Sequence, residues 1–165
     1  MRTIDNINDL NKSEFLSIFG NVFEKTESVA LKVFELKPFK DSDDIVSKML
    51  KIYEEYDRDK ILQILNSHPE LAIEKKLTNE SKLEQTSANL NECSEEEFEE
   101  FKKLNLEYKT KFGFPFIIAV KGKNKNEILV NFRERIQNDL NKEFLEAKNQ
   151  VKKIASFRLK DILSF

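Results

Sequence analysis

Residues that cross-link a chain or break helices are scarce in this 165-residue sequence. It contains three Gly, three Pro, one Cys and one His, and it has no Trp. A lone cysteine, Cys93, cannot form an internal disulfide, which is typical of a protein from a reducing compartment. One His and one Cys also leave too few ligands for a structural zinc site. We therefore predict a cytoplasmic protein without a metal.

Long apolar runs and an excess of one charge are missing as well. The 28 Lys and Arg residues nearly balance the 30 Asp and Glu residues, which gives a formal net charge of -2. This balance provides no electrostatic basis for binding nucleic acid or an anionic membrane surface. No apolar stretch is long enough to cross a bilayer, and no export signal is recognisable at the N-terminus. Neither nucleic acid nor a membrane is expected as a partner.

The abundant feature of the sequence is a helical pattern. Apolar residues, including 14 Phe, alternate with charged residues at spacings of three and four. This spacing predicts an all-α protein, and the length suits a single-domain helical bundle of about eight helices over residues 1–165. Start and end signals place the helices near 13–23, 27–37, 43–56, 57–66, 81 onward, 95–112, 124–137 and 142–163.

Residues 114–120 interrupt the helical pattern. The run from Phe114 to Val120 has the composition of a strand, yet no second run offers itself as a pairing partner. We expect one extended segment rather than a sheet. Its backbone N–H and C=O groups need partners, and a heterocyclic ligand rich in amides can supply them. Packing of the aromatic rings in the core is the alternative interpretation.

His68 is the first candidate for chemistry, because its side chain has an unperturbed pKa near neutral, as a general acid or base requires. The following Pro69 biases His68 away from the helical region, so we expect His68 at a helix end. A lone His in this position is also commonly a cap or a surface residue. Further on, Ser81 and Glu84 have the spacing of a capping box, and the same helix N-terminus can also hold an anion.

Two arginines complete the set of candidates. Arg133 and Arg135 lie two residues apart on one predicted helix, so they point in different directions and at most one reaches a given site. For each arginine, a surface salt bridge is the alternative role.

The sequence contains no glycine-rich phosphate loop, dinucleotide fingerprint, nucleophilic Ser in a sharp turn or Cys–His arrangement. We therefore predict no cofactor.

Several short motifs, taken in order, carry a resemblance to a known family. They are Leu10 to Phe15, Gly20 to Glu24, Lys37 to Phe39, His68 to Ala72, Leu77 to Ser81 with Glu84 and Gln85, Leu104 to Tyr108, and Lys111 to Phe116. Together, over nearly the whole chain, they resemble the OHCU decarboxylase family, where OHCU is 2-oxo-4-hydroxy-4-carboxy-5-ureidoimidazoline. The chain departs from the family pattern after Ala72, where it has Ile73-Glu74 and a shorter loop.

The resemblance implies a function and a set of site residues. The reaction is the cofactor-independent decarboxylation of the ureidoimidazoline to (S)-allantoin in urate breakdown, and the family likeness suggests a homodimer. His68 becomes the catalytic acid, Glu84 its carboxylate partner, and Arg135 the arginine that holds a carboxylate. The substrate-binding residues that it implies are Pro69, Ser81, Gln85, Phe116, Ile117, Ile118, Ala119 and Val120.

Two other functions remain open from the residues alone. A non-enzymatic helical module that binds a ureide or another purine product predicts tight binding without turnover. A helical interaction protein with exposed Phe residues predicts that substitutions of His68 and Glu84 change only stability.

Overall fold

The computed structural model describes residues 3–72 and 77–163, and over these ranges the chain is all-helical. Ile73 and Glu74, where the chain departs from the family pattern, lie outside the described residues. Within the described ranges no helix combines the length and the apolar character that crossing a membrane requires. The nine helices found there are α1 (Ile4–Asp9), α2 (Lys12–Phe19), α3 (Ser28–Phe34), α4 (Ser42–Glu54), α5 (Arg58–Ser67), α6 (Asn79–Ser87), α7 (Glu95–Phe112), α8 (Lys125–Arg135) and α9 (Leu140–Leu163).

The all-α prediction is confirmed, but three N-terminal details are wrong. The helix predicted over residues 27–37 ends at Phe34. The short helix α1 was not predicted, and it is capped at its start by Thr3, whose side chain accepts from the Asn6 N–H. The helix predicted to reach residue 23 ends at Phe19, although Val22 and Phe23 beyond it are buried. The spacing of apolar residues indicates which residues are buried, not which are helical. Here the apolar spacing continues past the end of α2 into a turn.

The described residues form two compact units, each held together by contacts within the unit. The first contains residues 3–67 and 152–163 and has an aromatic core, in which the Phe23 and Tyr53 rings stack with centroids 4.7 Å apart. It also holds a buried ion pair, in which Arg158 donates to Glu24 at 2.8 Å. The prediction of one domain over residues 1–165 stays a prediction.

The second unit contains residues 68–72 and 77–151 and carries most of the candidate site residues. Its core is a cluster of aromatic rings, in which Phe116 stacks on Phe132 with centroids 3.9 Å apart and planes 9° apart. Helix α7 ends as predicted at Gly113, whose φ of 81° is the left-handed conformation that glycine adopts without strain. The chain then runs through residues 115–120 as neither helix nor strand, as expected.

Candidate active site

His68 lies where the sequence predicted it, at the end of a helix. It follows directly on Ser67, the last residue of α5, and its residue is 8% exposed. Pro69 comes next and prevents the helix from continuing. His68 is therefore a buried histidine at the start of a loop.

The loop after Pro69 is held by a side chain from α6. The Oε1 atom of Gln85 accepts the Ala72 N–H at 3.1 Å, and the Nε2 atom of Gln85 donates to the Glu70 carbonyl at 3.2 Å. Both ends of one amide thus fix the backbone two and four residues after His68. Gln85 is predicted to bind substrate, and the described hydrogen bonds of its side chain are to this loop.

A second helix holds the same loop. Asn105 of α7 is 3% exposed, and its Nδ2 atom donates to the Leu71 carbonyl at 3.0 Å. Buried backbone polar groups need such partners, because leaving one unpaired costs about 1–3 kcal/mol. Side chains of α6 and α7 together fix the course of the chain after His68.

The start of α6 differs from the prediction. Thr78 is the N-cap, and its Oγ1 atom accepts the Ser81 N–H at 3.3 Å, so the predicted start at Ser81 and its capping box with Glu84 are wrong. Thr78 is also a good N-cap residue, and it lies three positions earlier. Ser81 is therefore inside the first turn. It lies four residues before Gln85, and both are buried, which places them on one face of α6. Glu84 is half-buried.

Two side chains anchor the backbone of the segment after Gly113. The Nη1 atom of Arg135 donates to the Ile117 carbonyl at 2.7 Å. The Oε1 atom of Gln150, on α9, accepts the Ala119 N–H at 2.9 Å. The sequence predicted that these backbone groups need partners, and the structure supplies protein partners for two of them.

The guanidinium of Arg135 is held in place by a buried carboxylate. Glu143 is fully buried and accepts from Arg135 Nη2 at 2.9 Å, from Asn138 Nδ2 at 2.9 Å and from the Tyr108 hydroxyl. Burial and the bond to Glu143 raise the pKa of Tyr108 well above its ordinary value, so the phenol stays protonated and donates. The described hydrogen bonds of the Arg135 guanidinium are therefore to Glu143 and Ile117. Its role toward a substrate carboxylate stays a prediction.

The neighbouring arginine has a different environment. Arg133 lies half-exposed and pairs with Glu100 of α7, which is the surface salt bridge expected as its alternative role.

The ring of Phe116 is packed on both faces by other side chains. It lies between the Phe132 ring and the Arg135 guanidinium, whose Cζ atom is 4.4 Å from the ring centroid. Phe116 can therefore contribute to a site through its backbone and not through its ring.

A surface cavity of about 460 Å³ lies beside the loop after His68. Its lining residues are Glu70, Lys102, Asn105, Leu106, Lys109 and Thr110. Neither His68 nor the backbone of residues 116–120 lines it, so its position gives no reason to place the substrate there.

Sequence reasoning missed the polar residues that hold the site together. Asn105, Glu143 and Gln150 are buried although they are polar, and each lies on a helix face with buried apolar neighbours. A polar residue on an apolar stripe is the signal that points to them, because burial demands a hydrogen-bonding partner.

Comparison with known proteins agrees with this all-helical arrangement and with the order of motifs. The family model described as OHCU decarboxylase matches residues 8–160. A 2-oxo-4-hydroxy-4-carboxy-5-ureidoimidazoline decarboxylase of Haloferax volcanii is 35% identical over 98% of this chain and 96% of its own length. A uric acid degradation bifunctional protein of Bacillus sp. (strain TB-90) is 38% identical over 98% of this chain, which spans only 32% of that protein.

A solved structure has the same fold. The crystal structure of an (S)-allantoin synthase superposes with a TM-score of 0.78 at 25% identity, and the match covers 98% of this chain and 54% of the other. The fold and the order of the motifs thus agree with the family match. The chain belongs to the OHCU decarboxylase family.

Proposed function

We propose that this protein decarboxylates 2-oxo-4-hydroxy-4-carboxy-5-ureidoimidazoline to (S)-allantoin without a cofactor, as part of urate breakdown. The family membership supports the proposal. The structural observation that carries it is the arrangement of the backbone around Ile118, in the same compact unit as His68.

The two anchors of the segment determine where the polar groups of Ile118 point. In a trans peptide the C=O and the next N–H point in opposite directions. The Ile117 carbonyl faces Arg135, so the Ile118 N–H points away from Arg135. The Ala119 N–H faces Gln150, so the Ile118 C=O points away from Gln150. Neither Ile118 group forms a hydrogen bond with any residue in the described part of the chain.

A donor and an acceptor on one buried residue are complementary to a ring amide or a ureido group, which also presents an N–H and a C=O side by side. The ureidoimidazoline contains both groups. We therefore assign residues 116–120 to the substrate site through their backbone. The same proposed site also contains Pro69, in the loop after His68, and Ser81 and Gln85, on helix α6.

The chemistry of this substrate needs little from the protein. Breaking the bond to the carboxylate releases carbon dioxide and leaves an electron pair that the conjugated ring takes up. A proton is then added to the ring carbon that bears the ureido group, while the neighbouring hydroxyl passes its proton to the ring nitrogen and becomes the carbonyl of allantoin. The protein has to orient the substrate, exclude water and deliver the proton to one face.

His68 is the proposed proton donor, and Glu84 the proposed carboxylate that orients it or contacts the substrate hydroxyl. The His68→Asn variant, assayed with substrate generated in situ from urate, is expected to lose about 100-fold or more in rate, since a general acid typically contributes that much. Thermal unfolding of the same variant provides the control for folding. A folded His68→Asn variant with a near-normal rate would remove His68 from the mechanism.

The assembly and location of the protein are proposed on the same basis. We propose a cytoplasmic homodimer that binds a small molecule and has neither a membrane nor nucleic acid as its partner. Exposed apolar side chains that a dimer can cover include Leu83 and Leu106, which are 71% and 70% exposed. Sedimentation equilibrium tests this directly, and a monomer at all concentrations would contradict it.

A further inference from the structure

Gln150 is the one residue of α9 that holds the backbone of the proposed substrate segment in the described structure. Its Oε1 atom accepts the Ala119 N–H at 2.9 Å, while its Nε2 atom donates to Glu146 Oε1 at 2.7 Å. Gln150 is buried and Glu146 is half-buried, one turn earlier on the same helix. The amide of Gln150 thus connects a half-buried carboxylate to a buried backbone N–H.

Glu146 favours the orientation of the Gln150 amide in which the oxygen faces Ala119. A carboxylate only accepts hydrogen bonds, so it draws the NH₂ end of Gln150 toward itself and leaves the oxygen for Ala119. The opposite orientation would place an NH₂ against the Ala119 N–H and an oxygen against the carboxylate, and both contacts are repulsive. The Ala119 N–H and the Glu146 carboxylate therefore support the same orientation of Gln150.

We propose that Gln150 is a positioning residue for the decarboxylation and that Glu146 fixes its orientation. Gln150 holds the peptide between Ile118 and Ala119 so that the Ile118 carbonyl is turned toward the substrate. This assignment rests on the proposed function. It concerns substrate binding, because Gln150 acts through the backbone of Ile118 and Ala119 and not on the reacting atoms.

The first test is the Gln150→Leu variant, which keeps the approximate size of the side chain and removes both hydrogen bonds. The expected result is a rise in KM of about five- to tenfold, the typical effect of one lost hydrogen bond, with kcat changed less. A purely structural role would lower the melting temperature and the active fraction without raising KM. Asn149→Leu, an exposed amide on the same helix, is the matched control and should have the wild-type KM.

The second test leaves Gln150 in place and changes its orientation. Glu146→Lys replaces an acceptor with a donor, which draws the Gln150 oxygen away from Ala119. It should raise KM in the same direction as Gln150→Leu, and because position 146 is half-buried the variant should fold even if Gln150→Leu does not. A folded Glu146→Lys or Gln150→Leu variant with the wild-type KM would overturn the proposal.

A third measurement separates this proposal from the proposed function. Hydrogen exchange of the Ala119 amide, followed by NMR in the free protein, should be faster in both variants than in the wild type and in Asn149→Leu. If the wild-type protein does not turn over the ureidoimidazoline, the proposed function fails whatever the exchange rates are. If the wild type is active but Ala119 exchanges equally fast in all four proteins, Gln150 does not position the segment.

Discussion

Asn105 donates a hydrogen bond from its Nδ2 atom to the carbonyl oxygen of Leu71 at 3.0 Å, joining the middle of α7 to the loop that begins at His68. This contact and the two contacts of Gln85 give the loop after Pro69 a defined course. The position of His68 thus depends on two helices that follow it in the sequence.

Replacing Asn105 should therefore affect both stability and activity. Asn105→Leu leaves the Leu71 carbonyl buried without its partner, which should lower the free energy of unfolding by about 1–3 kcal/mol. Urea denaturation measures this loss, and the decarboxylation rate should fall in the same variant because the loop after His68 is less well fixed. Unchanged values of both quantities would show that the contact does not hold the loop.

The pair of arginines on α8 offers a matched comparison of a buried and an exposed ion pair. Glu143→Gln removes the charge that neutralises Arg135 in a buried site, so it should lower the free energy of unfolding by about 3–5 kcal/mol. Glu100→Gln removes the partner of the half-exposed Arg133 and should cost about 1 kcal/mol or less. Chemical denaturation of both variants gives the comparison. Equal losses would contradict the structural role assigned to Glu143.

An acid-sensitive contact lies at the start of α7. The hydrogen bond from Lys125 Nζ, together with that from the Ser94 N–H, lowers the pKa of Glu97 from its ordinary value of 4.5 to about 2. A carboxyl whose pKa is lower in the folded state stabilises the protein above its ordinary pKa, and that stabilisation is lost as the pH falls from about 4.5 toward about 2.

The Glu97→Gln variant tests this pH dependence. Its free energy of unfolding should be lower than that of the wild type at pH 7, and the difference should shrink as the pH is lowered through that window. Thermal unfolding at a series of pH values measures it. A difference that stays constant from pH 7 to pH 3 would show that the charge of Glu97 does not contribute.

The sequence predicted the features that depend on local pattern. The end of α7 near residue 112, the start of α8 near residue 124 and the non-helical run after Gly113 all follow from residues close together in the chain. Caps at neighbouring positions are harder to distinguish, because Thr78 and Ser81 are both good N-cap residues. The predicted start of α6 at Ser81, where the structure has Asn79, is an error of that kind.

The hydrogen bonds that hold the site could not be predicted from the local sequence pattern. Gln150 lies 31 residues from Ala119, and Asn105 lies 34 residues from Leu71. Which distant backbone group a buried amide reaches depends on how the helices pack, and spacing within one helix does not specify that. The sequence therefore identified candidate residues for the site but not the residues that position them.

The most direct test of the account is circular dichroism of allantoin formed from ureidoimidazoline that urate oxidase and hydroxyisourate hydrolase generate in situ. With the protein present, we predict rapid formation of the (S) enantiomer alone, because the proton is delivered to one face of a bound intermediate. Slow formation of racemic allantoin at the same rate with and without the protein would contradict the proposed function.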